Sequence, residues 1–246
     1  MESKFKKLKR KIELIHQDYE SAVKFAMKLW YAGKPKGDWR STGTKRDIGK
    51  YITDHSLGKL AELGFAEFLK VNWGIEAVLD FKIHPGTFNV DKGDLVKIKC
   101  GGRKIKPRIS IDIKSTKKGS LWAMVDLHEF NNREYNAYAW VKVDLPLNHL
   151  ARPIFEAVRS RNMKEIEALI PSLKIIGTEV IGFAYREDVE SWREINKGSN
   201  VFDPNNPRKK LFTAKTDNKA NPAVELRNSK KEWEKLIRKL WGEQDL

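Results

Sequence analysis

The stretch RISIDIKST, Arg108 to Thr116, sets isoleucines at 109, 111 and 113 and places Asp112 and Lys114 on the alternate positions. Such alternation marks a half-buried β-strand, so the carboxylate and the ammonium project from one face, roughly 7 Å apart at ~3.3 Å per residue. They form either a plain surface ion pair, worth at most ~1 kcal/mol, or half of a site that handles a phosphate. Two more carboxylates bear on that choice. Asp94 opens the run DLVKIK, and Glu62 sits at the margin of the apolar stripe of GKLAELGFAEFL. Two carboxylates together with phosphate oxygens and water satisfy octahedral Mg²⁺, which takes few protein oxygens and keeps several waters. A metal so held lowers the pKa of a bound water and offsets charge building up on a scissile phosphate. Asp94 and Asp112 are therefore candidate metal ligands, Lys114 a candidate contact to the attacking water or the phosphate, and Glu62 a candidate for a second metal or a metal-bound water. The plainer alternatives are a turn residue for Asp94 and a solvated helix carboxylate for Glu62.

These residues need elements to hold them. Leu57, Leu60, Ala61, Gly64, Phe65 and Phe68 recur at helical spacing, predicting a helix over about 57–72. DLVKIK, 94–99, and RISIDIK, 108–114, flank CGGRKIKP, whose Gly101-Gly102 pair predicts a hairpin joining the two runs. AYAWVKVD, 137–144, predicts a further strand, and IIGTEVIGFAYRE, 175–187, one or two more. Helices are expected over KFKKLKRKIELIHQ and DYESAVKFAMKLWYAG at the N-terminus, around 152–170, and over SKKEWEKLIRKLWG near the C-terminus. The intervening KKGSLWAMVDLHEFNNREYN is expected to be partly helical. This order predicts an α/β fold, a mixed β-sheet flanked by helices. The whole chain, 1–246, reads as a single domain: a basic helical and loop extension over 1–50, a core over 57–190 and a basic extension over 193–246.

Charge indicates a class of partner. The net charge is +15 over 246 residues, and strongly basic soluble domains usually bind polyanions. Residues 1–50 carry 14 basic against 6 acidic residues, 51–192 carry 21 against 19, and 193–246 carry 13 against 8, so the excess lies at the two ends. The alternative is a thermophile's surface ion-pair network, which is usually balanced in sign. Arg40, Lys45 and Arg46 in a Gly/Pro-rich loop, and Arg208, Lys209 and Lys210 in the tail, are candidate phosphate contacts. Ser115, Thr116, Lys117 and Lys118 extend the Asp112 strand and are candidate DNA contacts. Asn131, Asn132 and Arg133 in HEFNNREYN are side-chain types that pair with base edges, although Asn-rich segments also form turns. Trp39 and Trp122 are the tryptophans best placed among basic residues to stack on bases; the rest read as core. The lone Cys100 excludes an internal disulfide, and the five histidines have no zinc spacing. No apolar run of 18 residues and no signal-peptide pattern occurs, so a soluble, cytoplasmic protein with no membrane partner is expected.

GDLVKIK, a Gly-rich turn, then ISIDIKST resembles the D…(D/E)xK signature of the PD-(D/E)XK nuclease superfamily. GKLAELGFAEFL resembles the G-x-x-x-E helix that often precedes that signature. The similarity spans about 57–144. It implies a restriction endonuclease-like core, with Asp94 and Asp112 as Mg²⁺ ligands, Lys114 as the residue that positions or activates water, and Glu62 as the accessory helix carboxylate. Gly93 stands where the superfamily often has proline, which leaves Asp91 and Asp80 as rivals for the first carboxylate. The resemblance implies a Mg²⁺-dependent endonuclease on double-stranded DNA, foremost a type II restriction endonuclease. A two-strand cut would be made by a C2 homodimer on a palindrome. The alternatives are a structure-selective repair or recombination nuclease and a nucleic-acid-binding protein that cleaves nothing.

Overall fold

A computed structural model describes residues 7–32, 48–82, 93–146, 149 and 175–242. Its centre is a four-stranded mixed sheet in the order β1 (Lys11–Ile15), β8 (Ile175–Tyr185), β7 (Ala137–Val143), β5 (Ile111–Lys117). β1 and β7 run antiparallel to β8, whereas β5 runs parallel to β7. Smaller sheets join β2 (Glu76–Leu79), β3 (Leu95–Cys100) and β4 (Arg103–Ile105), and β6 (Trp122–Asp126), β12 (Asn218–Pro222) and β9 (Arg193–Ile195). β10 (Asn200–Asp203) and β11 (Asn206–Thr213) make a separate two-stranded ribbon. The fold is the expected α/β one, a mixed sheet flanked by helices.

The central sheet is buried on both faces, and β7 shows how. Ala137, Ala139, Val141 and Val143 join the larger core beneath the sheet, while Tyr138 and Trp140 join a second core above it. A strand covered on both sides reads as a continuous apolar run. Three helices supply the lower cover: α1 (His16–Tyr31), α2 (Ile48–Trp73) and α5 (Lys230–Trp241). The upper face is covered by Val125 of β6, Phe130 of α3 (Leu127–Asn132) and Val189 of α4 (Arg186–Glu190).

α2 crosses beneath all four strands of the central sheet. Close approach at Gly64 permits this, since a Cβ there would stand 2.6 Å from Thr178 Oγ1 on β8. Thr178 has no freedom to swing away, because its hydroxyl donates to Ile12 O at 3.1 Å. α5 opens on a capping box: Ser229 Oγ accepts from Glu232 N, and Glu232 Oε2 accepts from Ser229 N. Trp233, Leu236, Ile237, Leu240 and Trp241 then form one buried stripe. Trp233 packs against Phe65, Phe68 and Phe183, so this helix of the basic tail closes the main core.

Two local expectations are corrected. The first basic segment does not continue as helix: KIELI is edge strand β1, because Ile12 and Leu14 alternate into the core and the backbone pairs with β8. Alternation plus a sheet edge outweighs the helix propensity of Lys, Glu and Leu. Gly101 and Gly102, at φ 54° and 83°, do make the hairpin turn, but it joins β3 to β4, not β3 to the Asp112 strand. The Asn/Pro/Lys-rich stretch after residue 196, which carries no regular periodicity, forms β10, β11 and β12. Among the described residues no helix is long and apolar enough to cross a membrane. The segments around Arg40 and 152–170 lie outside the described residues.

Two predictions follow from this packing. Gly64→Ala is expected to destabilise by about 1–3 kcal/mol through overpacking, whereas Gly58→Ala on the same helix, with nothing within 4 Å of its Cβ, should stabilise by roughly 0.5–1 kcal/mol. Urea midpoints of the two variants check this, and equal shifts would contradict the close α2–β8 contact. The second concerns His149, whose ring nitrogens lie 3.0 Å from Tyr19 Oη of α1 and 3.1 Å from Thr53 Oγ1 of α2. Burial pushes its pKa down from 6.5 to about 4. The unfolded chain therefore takes up the proton first, so this stability is complete above about pH 6.5 and is lost as pH falls through about 4, on the order of 3 kcal/mol in all. Calorimetric Tm against pH should show a flatter acid limb in His149→Gln than in the parent.

Candidate active site at the edge of β5

Among the described residues β5 is the end strand of the central sheet, so the outward backbone groups of Ile111 and Ile113 have no ladder partner there. Asp94 supplies both. Its N–H donates to Ile111 O at 3.0 Å, and its Oδ2 accepts from Ile113 N at 2.5 Å. The carboxylate thus stands where the next strand's carbonyl would stand. Gly93 makes this possible: its φ of 108° is closed to proline, and a Cβ on it would lie 3.2 Å from Ile111 N and O. A proline at position 93 is therefore excluded by the backbone.

Ile111 and Ile113 point into the lower core, and Asp112 and Lys114 take the opposite face, beside Tyr138 and Trp140 of β7. Asp112 is only 7 % exposed. Lys114 Nζ lies 2.6 Å from Asp112 Oδ2 and 2.6 Å from Glu129 Oε2. Only the Glu129 contact has hydrogen-bond geometry, so Asp112 Oδ2 is buried without a hydrogen bond. Glu129 is set by α3, whose N-cap Asp126 accepts from Glu129 N at 3.2 Å.

Glu62 enters from α2. It is 8 % exposed, well inside the margin that its place on the apolar stripe suggests. Its Oε2 accepts from Lys59 Nζ at 2.7 Å, and the same ammonium donates to Asp80 O at 2.7 Å between the rings of Phe25 and Phe81. Asp80 accepts from Lys82 N through Oδ1. Asp94, not Asp80, reaches the Asp112 strand; Asp91 lies outside the described residues.

Electrostatics follow from this crowding. Burial, then the charges of Glu62 and Asp112, push the Asp94 carboxyl well above its ordinary range, against the opposing Ile113 N–H and Lys59. Burial pushes Asp112 up to about 6, only partly offset by Lys114, while Glu129 adds to the rise. Lys114 is held protonated, because Asp112 and Glu129 outweigh its own desolvation. Among the described residues Glu62, Asp94, Asp112 and Glu129 face Lys59, Lys114 and Arg133, four acids to three bases. A hard divalent cation fits such oxygens, and Asp112 Oδ2, whose contact is the Lys114 ammonium, is a fitting donor. Among the described residues no three His, Cys, Asp or Glu side chains converge into a ready metal cage. Mg²⁺ would then complete its shell with water or phosphate oxygens.

The structure thus brings Asp94, Asp112 and Lys114 together, with Glu62 close enough for its charge to act on Asp94. Lys59 and Glu129 escaped the sequence reading. The Asp126-x-x-Glu129 capping spacing was the available signal for Glu129, and the placement of Lys59 one turn before Glu62 was the signal for that pair. The candidate DNA contacts are more scattered. Ser115, Lys117 and Lys118 are exposed at the end of β5, with Lys118 2.5 Å from Asp144, and Thr116 is half-buried. Asn131 is exposed; Asn132 Nδ2 donates to His128 O in its own helix; Arg133 donates to Tyr135 Oη. Asn132 and Arg133 therefore already have structural partners. Trp122 is a core residue whose Nε1 donates to Phe202 O. Arg208, Lys209 and Lys210 are exposed on β11. Arg40, Lys45, Arg46 and Trp39 lie outside the described residues.

Asp94→Asn keeps an oxygen for Ile113 N and removes the repelled charge. It is expected to stabilise the metal-free protein by about 1 kcal/mol, roughly 2–4 °C in Tm, as a carboxylate kept for function would allow. Asp94→Ala, which also leaves Ile113 N unsatisfied, should lower Tm. Destabilisation by both, read from thermal melts at pH 8 in EDTA, would make Asp94 an edge cap and nothing more. Comparison with protein-family models, with curated proteins and with solved structures returned no match to this chain.

Proposed function

We propose that this chain is a Mg²⁺-dependent endonuclease hydrolysing phosphodiester bonds in double-stranded DNA, a PD-(D/E)XK enzyme of the type II restriction endonuclease kind. The observation that carries this reading is the pair of carboxylates at one strand edge, half-buried Asp94 and buried Asp112, with the Lys114 ammonium 2.6 Å from Asp112. A carboxylate excess inside a chain of net charge +15 is the pattern expected where basic surroundings hold a polyanion and a local acidic spot takes the metal.

Asp94 and Asp112 would hold the metal, and Glu62 would contact it through water, its own charge being matched by Lys59. The metal would lower the pKa of a bound water and offset charge on the phosphate. Lys114 serves as a cation and not as a base. Protonated between Asp112 and Glu129, it donates toward the water or a non-bridging phosphate oxygen and stabilises the charge that develops in the transition state. Glu129 fixes the direction of that donor. Cutting both strands takes two such sites, so the working form is proposed to be a symmetric homodimer.

The expected result is cleavage of plasmid DNA with Mg²⁺ and none in EDTA, with Asp112→Ala and Lys114→Ala each lowering the rate by ~10²-fold or more. Glu129→Gln should lower it less, because Lys114 keeps Asp112. Mapping the fragment ends would separate a restriction enzyme, which cuts at one sequence, from a structure-selective nuclease, which prefers branched DNA. Uncut DNA with unchanged Mg²⁺ binding in Asp112→Ala would falsify the catalytic reading.

A further inference from the structure

Among the described strands β11 stands out in being open to solvent along nearly its whole length: seven of its eight residues are exposed, and only Leu211 is half-buried. With β10 it forms a two-stranded ribbon that, among the described residues, pairs with no further strand. The ribbon carries Arg208, Lys209 and Lys210 in succession and two exposed aromatics, Phe202 and Phe212, each 39 % exposed. Its one acid, Asp203, is buried, bonded to Asn205 N and within 3.3 Å of Lys209. The outward surface is therefore cationic and apolar at once. Register shifts on both sides of Phe202, which faces Lys210, mark a bulge that re-aims side chains there.

The base of the ribbon is firm. Val201 and Ala214 pack with Trp122, Ile195 and Ala220, and Trp122 Nε1 donates to Phe202 O at 2.8 Å. Trp122 begins β6, which runs directly into the Asp126 cap and the helix that holds Glu129 against Lys114. The ribbon and the carboxylate cluster are thus mounted on opposite ends of one short element.

We infer that the β10–β11 ribbon is a groove-binding arm for B-form duplex DNA, with Arg208, Lys209 and Lys210 on phosphates and Phe202 and Phe212 making apolar contact with the groove. The B-form major groove, about 12 Å wide, admits a two-stranded ribbon, and apolar wedges commonly accompany cations at DNA grooves. The deep, narrow major groove of duplex RNA does not admit one. This rests on the nucleic-acid partner of the proposed function and not on its chemistry.

Binding of a fluorescent DNA duplex in EDTA, followed by anisotropy over a range of salt, is the test. Replacing Arg208, Lys209 and Lys210 together by serine should flatten the slope of log Kobs against log salt by about 3, at about 0.9 per cation removed. Phe202→Ala with Phe212→Ala should weaken binding without changing that slope. Thermal melts confirm folding; should the Phe variant melt early, the serine variant alone decides. An unchanged slope in the folded serine variant, no binding of duplex DNA by the parent, or equal dependence on the ribbon with duplex RNA or polyglutamate in place of DNA overturns the inference. Ribbon-dependent binding without Mg²⁺-dependent cleavage keeps the arm and removes the nuclease. Cleavage with ribbon-independent binding does the reverse.

Discussion

The open edge of β5 is the constraint on which the rest depends. A sheet edge presents bare N–H and C=O groups, and here Asp94 meets them with its own backbone and side chain. That single solution places a carboxylate at the rim of the core, beside the Asp112 face of the same strand. Gly93 bends the chain inward to deliver it, and α2, pressed against the sheet through Gly64, brings Glu62 to the same rim. Structural closure and the crowding of acids therefore have one cause.

Crowding costs stability, and its neutralisation is incomplete. Lys59 answers Glu62 from one turn away, and Lys114 is shared between Asp112 and Glu129. A cation shared by two carboxylates cannot bring both to their ordinary pKa, which is why Asp112 remains raised even with an ammonium 2.6 Å away. A protein selected for stability alone would do better with apolar side chains in place of Asp112 and Lys114 together. Retention of the charge agrees with the proposed metal-dependent role, in which a divalent cation supplies what the lysines do not.

The second core connects this rim to the surface. Tyr138 and Trp140 of β7 lie under the Asp112 face, and β6 and α3 pack above them. Because Glu129 is fixed by the helix that β6 begins, and Trp122 of β6 fixes the ribbon, the direction of Lys114 and the placement of the exposed arm share one support. The excess of basic residues lies in 1–50 and 193–246, whereas Asp112, Asp126 and Glu129 lie within this support.

The sequence by itself determined what local periodicity can encode. The alternation in RISIDIKST placed Asp112 and Lys114 on one strand face, helical spacing found the α2 helix that carries Glu62, and the run SKKEWEKLIRKLWG marked the last helix. Only the tertiary structure decided partners. KIELI became a strand because β8 offered an edge, and the Gly-Gly turn closed on β4 because β3 had β2 on its other side. Asp94 reached the Asp112 strand by capping an edge and not by pairing along a hairpin. Lys59 and Glu129 became part of the cluster through burial, a property of the packed layers that no window of neighbouring residues contains. Residue spacing fixes which side chains share a face; which faces meet, and how far charges are stripped of water, is settled only when distant segments pack.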